Sequence, residues 1–177
     1  VGPNKDTNIF TTMKKAYFTT SDAQALYDTL IISSLTAREI RLYSDAQGVS
    51  NVYWTRFAGL THHFDIVGGA YNMGSDPSAQ YARDTDHPPT DGKWWKDLGD
   101  AAANVDPGNL YNTEAPGHEG LPPGPIANPL WDEIAAAASP AKTDKVYFYG
   151  DKCGHIHYFA TLGEQNAAAP GLDAMKC

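Results

Sequence analysis

The chain has 177 residues, enough for one domain with a hydrophobic core, and its 16 glycines and 12 prolines indicate many turns. The formal net charge of -8 argues against a nucleic-acid partner, because nucleic-acid binding needs a basic surface. No apolar run approaches the length of a membrane span, and the start of the chain has no signal-peptide pattern. Because residue 1 is not Met, we expect a trimmed or processed soluble form.

Two amphipathic helices are predicted after an N-terminal arm or edge strand at residues 1–20. The first begins after Ser21, which can cap it in capping-box register with Gln24, and runs to about Tyr43. Its apolar face consists of residues at helical spacing, namely Leu26, Leu30, Ile31, Leu35 and Ala37. After a turn at residues 45–48, the second helix carries the apolar positions Val49, Val52, Tyr53, Phe57 and Leu60.

Glu39 stands out at the end of the first helix. It lies four residues after Leu35 and seven after Ile32, so it shares a stripe with apolar side chains. A carboxyl held against apolar side chains is desolvated, which raises its pKa and lets it hold a proton near neutral pH. Glu39 is therefore a candidate general acid, and the alternative is an edge glutamate that is solvated or paired with Arg38 or Arg41.

The middle of the chain is rich in loops. Residues 61–74 contain paired histidines and paired glycines, which predict a hairpin or a mobile loop, and residues 74–82 are compact and polar. Residues 111–129 have too many prolines and glycines for regular structure, yet are too apolar for disorder, so we expect an ordered surface loop. Asn128 is then predicted to cap a helix that has Pro129 at its first position.

The C-terminal third predicts a hairpin and a short helix. Residues 146–149 and 155–159 have the composition of two strands joined by a tight turn. Thr161 and Glu164 form a second capping box, which opens a last helix that is expected to end before Pro170. Helices first, then loops, then a hairpin make an α+β pattern, and no repeat or linker divides the chain.

The two cysteines, Cys153 and Cys177, are either a disulfide or two free thiols. We predict the disulfide, which would tie the C-terminal tail to the hairpin. Such a bond would indicate an oxidising compartment.

Four stretches of the chain carry motifs in a fixed order. The first three are SSLTAREI at residues 33–40, VSNVYWTRF at 49–57 and SDPSAQYA at 75–82. The fourth covers residues 111–129, which begin with YNT and end with GLPPGPIANP. Together they resemble the catalytic domain of the YceG-like endolytic murein transglycosylases, which implies one such domain over residues 21–177. We expect either a trimmed catalytic core or a free secreted form, without the membrane anchor and the LysM-like subdomain that members usually carry. Thr55 and Gly74 replace the family's Asn and Gln.

The resemblance implies a reaction on peptidoglycan outside the cytoplasm, in the cell envelope or as a secreted protein. Members cleave the β-1,4 bond between N-acetylmuramic acid and N-acetylglucosamine within a glycan strand and leave a 1,6-anhydro sugar. Glu39 falls where the family places its catalytic glutamate, and one carboxyl can act first as acid and then as base. No cofactor is implied, and the expected partners are glycan strands, with cell-wall synthesis proteins as further candidates.

Six further residues are candidate substrate contacts: Ser75, Asp76, Gln80, Tyr81, Tyr111 and Asn112. The last four supply amides and aromatic faces, which bind sugars. Ordinary loop packing is the alternative for the amides and tyrosines, and a turn-capping role for Asp76. If a second catalytic carboxylate exists, the candidates are Asp76, Asp65 and Glu114.

Two rival functions remain open at the level of the sequence. The paired histidines at residues 62 and 63 and the pair His155 and His157 suggest a metal site, but neighbouring histidines cannot share a helical face and a strand pair gives too few ligands. We therefore expect no metal. The second rival is a glycan-binding or structural module on the same fold that has lost catalysis.

Overall fold

The computed structural model describes residues 21–58, 72–99 and 105–177. The predicted N-terminal arm lies outside the described residues, and so does most of the predicted loop at residues 61–74, with its two histidines and Asp65.

The described residues form five helices and one two-stranded antiparallel sheet, so the predicted α+β architecture is confirmed. The helices are α1 (Asp22–Glu39), α2 (Ala46–Ala58), α3 (Asp76–Asp86), α4 (Trp131–Ala138) and α5 (Leu162–Asp173), with a short 3-10 turn at Tyr43–Asp45. The strands are β1 (Tyr147–Gly150) and β2 (Ile156–Phe159). Helices α1, α2 and α4 pack on one another around the core, α3 contacts α1, and β1 contacts α2 and α5. None of the helices described is long and apolar enough to cross a membrane.

Helix α1 begins as predicted but ends earlier. The Ser21 side chain accepts a hydrogen bond from the backbone N–H of Gln24, whereas the Gln24 side chain donates to Asp28 and does not close a capping box. The helix ends at Glu39, not near residue 43, because Ile40 is extended (φ -91°, ψ 150°). A β-branched residue favours that conformation, and it turns the chain towards α2.

The buried face of α1 is more polar than the sequence pattern predicts. Ile31 and Leu35 are buried as expected, but Leu26 is 36% exposed, and Thr29, Ser33 and other hydroxyl residues are fully buried. The hydroxyls of Thr29, Ser33 and Ser34 donate to backbone carbonyls three or four residues earlier, as Thr29 does to Ala25 at 2.6 Å, so they are buried without losing hydrogen bonds. Their small size brings the neighbouring elements close to the helix.

Helix α2 starts at Ala46, three residues before the predicted first apolar position. Val49, Val52 and Tyr53 are fully buried as predicted, and so is Trp54, whose indole N–H donates to the Ala137 carbonyl of α4 at 2.7 Å. The predicted position Leu60 lies beyond the described part of this segment.

Helix α4 begins at Trp131, so the predicted cap at Asn128 with Pro129 at the first helical position is wrong. The reason is the Glu133 carboxylate, which accepts a hydrogen bond from the backbone N–H of Leu130 and makes that residue the N-cap. The helix ends at Ala138, before Pro140 as predicted.

The hairpin and the tail form one unit through the disulfide between Cys153 and Cys177, which is confirmed. The capping box of Thr161 and Glu164 is also confirmed. Helix α5 does not stop before Pro170 but continues to Asp173. Pro170 has no backbone N–H, so one carbonyl of the preceding turn lacks its helical hydrogen bond, and water can bind that carbonyl because no residue of α5 is buried. The Tyr149 hydroxyl also holds the end of the helix by donating to the Asp173 carboxylate at 3.1 Å.

The predicted ordered loop at residues 111–129 packs on α1. The Tyr27 hydroxyl donates to the Pro123 carbonyl at 2.7 Å, and the Ser34 hydroxyl accepts from the backbone N–H of Ile126 at 3.0 Å. The loop is thereby fixed across α1.

Candidate active site

Three elements bring their side chains together at the Glu39 carboxyl. Glu39 is the last residue of α1, Tyr53 comes from α2, and Ser75 directly precedes α3. The Tyr53 hydroxyl donates to Glu39 Oε1 at 2.6 Å, and the Ser75 hydroxyl donates to the same oxygen at 3.3 Å. Tyr53 and Ser75 are fully buried, so the carboxyl is held by groups that belong to the core.

The electrostatics of this cluster keep a proton available. Burial raises the pKa of Glu39 to about 7, in the direction that the sequence predicts, and the charge of Asp76 adds to the increase. The hydrogen bond from Tyr53, the charge of Arg56 and the hydrogen bond from Ser75 oppose it. Burial also raises the pKa of Tyr53 well above its ordinary value, so this hydroxyl stays a donor. Glu39 can therefore give or take a proton near neutral pH.

Glu39 opens onto a cavity of about 450 Å³, a size typical of small-molecule sites. Its walls combine carboxyls, amides, aromatic rings and one arginine. The lining residues are Glu39, Arg56, Asn72, Gly74, Asp76, Tyr147, Phe148, Tyr149, Gly150, Leu162 and Gln165. Strand β1 and helix α5 thus form one wall, and the ends of α1 and α3 form the other.

Arg56 lines the cavity and joins two segments of the chain around it. Its guanidinium donates to the carbonyls of Val146 and Met73, and its centre lies 5.5 Å from the ring centroid of Tyr147. It is 8% exposed, so its charge is compensated mainly by backbone carbonyls and aromatic faces. This arrangement fixes the hairpin against the segment that carries Ser75.

A pair of carboxyls lies beside Glu39. Desolvation, a hydrogen bond to Asp76, and the charges of Asp76 and Glu39 raise the pKa of Glu114. Asp76 is the first residue of α3 and lines the cavity, which differs from the turn-capping alternative considered for it. Hydrogen bonds from Gly74 and Ser75 to Thr113 join the two segments, so Glu114 is brought to Asp76 by backbone geometry.

The other predicted substrate contacts do not line this cavity. Tyr81 packs on Tyr111 with ring centroids 4.8 Å apart and on Trp95 at 5.9 Å, so these rings are engaged with one another. Asn112 is buried and donates to loop carbonyls, including that of Asp106 at 3.3 Å. Gln80 is partly exposed on α3. Their roles as sugar contacts stay predictions.

Sequence reasoning missed one whole wall of the cavity. In that wall, nothing in the local pattern distinguishes Tyr149, Leu162 and Gln165 from ordinary hairpin and helix residues. Asn72, which lines the cavity outside that wall, also has no distinguishing pattern. Of the two departures from the family motifs, Thr55 is buried away from the cavity, whereas Gly74 lines it. Gly74 has φ of +55°, and a Cβ there would lie 3.3 Å from an Arg56 nitrogen, so glycine suits this position.

The metal hypothesis finds no support within residues 21–58, 72–99 and 105–177, where no group of three or more metal-binding side chains occurs. His157 instead contacts the Asp151 carboxylate at 2.8 Å.

Comparison with known proteins agrees with this architecture. The fold and the cavity define an α+β domain with a protonatable carboxyl at the end of its first helix. The chain belongs to the YceG-like family, whose model matches residues 4–170.

One curated protein and one solved structure illustrate the likeness. The endolytic murein transglycosylase of Bacillus subtilis (strain 168) is 28% identical over 144 residues, which are 81% of this chain and 34% of that protein, so the chain spans about a third of its curated relative. The crystal structure of a yceG-like protein from Listeria monocytogenes superposes with a TM-score of 0.59 at 22% identity over 92% of this chain and 64% of that one. At that identity the structural likeness concerns the fold alone.

Proposed function

We propose that this chain is an endolytic lytic transglycosylase of peptidoglycan. It cleaves the β-1,4 bond between N-acetylmuramic acid and N-acetylglucosamine and leaves 1,6-anhydro ends. The observation that carries the proposal is the Glu39 carboxyl, which has a pKa of about 7 and lines a cavity of about 450 Å³. The family match and the name of the Bacillus subtilis relative point to the same substrate.

In the proposed reaction Glu39 acts twice. As an acid it protonates the glycosidic oxygen while the bond from that oxygen to C1 of the muramic acid residue breaks. As a carboxylate it then takes the proton of the C6 hydroxyl of the same sugar, whose oxygen closes on C1. The proton balance is zero, no water is consumed, and Glu39 ends protonated as it began.

Negative charge next to Glu39 supports this chemistry. Asp76 lines the cavity, and its charge is one of the causes that raise the pKa of Glu39. A carboxylate there stabilises the positive charge that develops on the sugar ring as the glycosidic bond breaks. We therefore assign Asp76 an electrostatic role and not that of a nucleophile.

We further propose that the protein acts outside the cytoplasm, where its substrate lies and where the bond between Cys153 and Cys177 is stable.

Product analysis tests the reaction class. Purified peptidoglycan is digested with the wild-type protein, and the ends of the fragments are identified by mass spectrometry. The proposal predicts 1,6-anhydro-muramic acid ends, which are one water lighter than hydrolysed ends. Reducing ends would indicate a hydrolase, and an undigested strand that still binds the protein would favour the glycan-binding module.

A further inference from the structure

The two oxygens of the Glu39 carboxyl have different surroundings. Oε1 accepts hydrogen bonds from the hydroxyls of Tyr53 and Ser75. Among the residues that the structure describes, none donates to Oε2. We infer that Tyr53 and Ser75 are positioning residues that hold Glu39 through Oε1 and thereby make Oε2 the oxygen that carries and transfers the proton. The catalytic part of this inference rests on the proposed function.

The assignment follows from the lone pairs of a carboxyl group. A carbonyl oxygen has two acceptor positions, and at Oε1 both are used by hydroxyl donors. A proton on Oε1 would have to displace one of these hydrogen bonds in a buried place, where a lost hydrogen bond is costly. The proton therefore binds to Oε2.

Tyr53 is fixed as a donor in both protonation states of Glu39. The residue is fully buried, and its ring packs edge-on against Phe148 with centroids 5.8 Å apart, so the position of its hydroxyl oxygen is fixed. Phe148 in turn lines the cavity. The wall that receives substrate is thus also the packing surface that keeps Tyr53 in place.

The two donors also set the pH at which Glu39 can change roles. Hydrogen bonds to a carboxylate favour its charged form, so Tyr53 and Ser75 oppose the effect of burial on the pKa of Glu39. Without Tyr53, Glu39 would keep its proton to higher pH and would be a weaker acid for the first step. Because the Tyr53 contact is shorter than the Ser75 contact, 2.6 Å against 3.3 Å, we expect the larger effect from Tyr53.

The test is a titration of Glu39 that does not need activity. Protein labelled with ¹³C at the glutamate side-chain carboxyls is titrated by NMR, and Glu39→Gln identifies the Glu39 signal. The midpoint should rise by about one pH unit in Tyr53→Phe, because one hydrogen bond to the charged form is lost, and by less in Ser75→Ala. Tyr158→Phe is the matched control, since the Tyr158 hydroxyl donates to the Asp45 carbonyl at 3.0 Å and does not contact Glu39.

A second measurement tests which oxygen of Glu39 carries the proton. In the infrared spectrum at low pH, the C=O stretch of protonated Glu39 should move to higher frequency in Tyr53→Phe, because Oε1 is the carbonyl oxygen and loses a donor. An unchanged midpoint and an unchanged C=O band in a folded Tyr53→Phe protein would overturn the inference. If Tyr53→Phe does not fold, a Ser75→Ala protein in which the Glu39 midpoint and C=O band are unchanged would overturn the inference.

Activity separates this inference from the proposed function. The fall of peptidoglycan turnover at alkaline pH should shift upwards together with the NMR midpoint. If the midpoint shifts but the wild-type protein cleaves no glycan, the proposed function fails and the positioning of the proton stands. If the wild-type protein cleaves glycan and Tyr53→Phe changes neither midpoint nor pH profile, the inference fails alone.

Discussion

Replacing Glu39 by Gln should stabilise the protein at alkaline pH and change its stability little at acidic pH. Gln keeps the shape of the side chain and an oxygen that can accept from Tyr53 and Ser75, but it cannot ionise. In the wild-type protein, burial raises the pKa of Glu39 from 4.5 to about 7. Between these values the folded protein binds a proton that the unfolded chain has released, so the free energy of unfolding falls as pH rises.

The size of the effect follows from the two pKa values. At about 1.4 kcal/mol for each pH unit, the difference between 4.5 and about 7 corresponds to about 3 kcal/mol of stability lost by the wild-type protein across that range. This loss begins near the pKa of the unfolded chain and is complete above the folded value. Glu39→Gln has no such loss, so its advantage over the wild-type protein should grow from near zero at about pH 4 to about 3 kcal/mol at about pH 8.

Urea unfolding of both proteins at several pH values measures this difference. Titrations of other groups cancel in the comparison, provided that the slope of free energy against urea is the same for both proteins. Two stability curves that run parallel from acidic to alkaline pH would refute the reasoning, because Glu39 would then titrate near its ordinary value.

Three further predictions concern neighbouring features. Asp76→Asn should move the alkaline fall of turnover to lower pH, because it removes a like charge that raises the pKa of Glu39; the pH profile measures this, and residual product should still carry 1,6-anhydro ends. Replacing both cysteines by serine should cost about 3 kcal/mol in urea unfolding, since the disulfide closes a loop over a separation of 24 residues; an unchanged midpoint would contradict this. Gly48→Ala should cost at least about 1 kcal/mol, because its Cβ would lie 2.3 Å from the Tyr158 hydroxyl oxygen; thermal unfolding tests it.

Much of the fold could be predicted because its signals are local. The cap at Ser21, the capping box at Thr161 and the hairpin depend on residues close in sequence, and all three are confirmed. The errors have two different causes. At the start of α4 the deciding contact is local, from the backbone N–H of Leu130 to the Glu133 carboxylate, and the prediction overlooked it. The continuation of α5 through Pro170 depends on solvent exposure and on a contact with β1, which is distant in the sequence.

The candidate site was predictable in part for the same reason. The position of Glu39 after an apolar stripe indicates a desolvated carboxyl, and the structure gives it the expected pKa increase. The hydrogen bonds from Tyr53 and Ser75 span 14 and 36 residues along the chain, so no local pattern reveals them. The wall formed by β1 and α5 likewise depends on how the C-terminal unit docks on α2.

The rate of glycan cleavage by Glu39→Gln tests the central claim most directly. Initial rates on purified peptidoglycan are compared at about pH 6, where Glu39 is protonated, with Glu119→Gln as control because that glutamate is exposed and lies outside the cavity lining. General acid and base help is worth about a hundred- to ten-thousand-fold, so Glu39→Gln should lose at least about a hundredfold while Glu119→Gln matches the wild-type protein. A Glu39→Gln protein that cleaves at the wild-type rate would contradict the account.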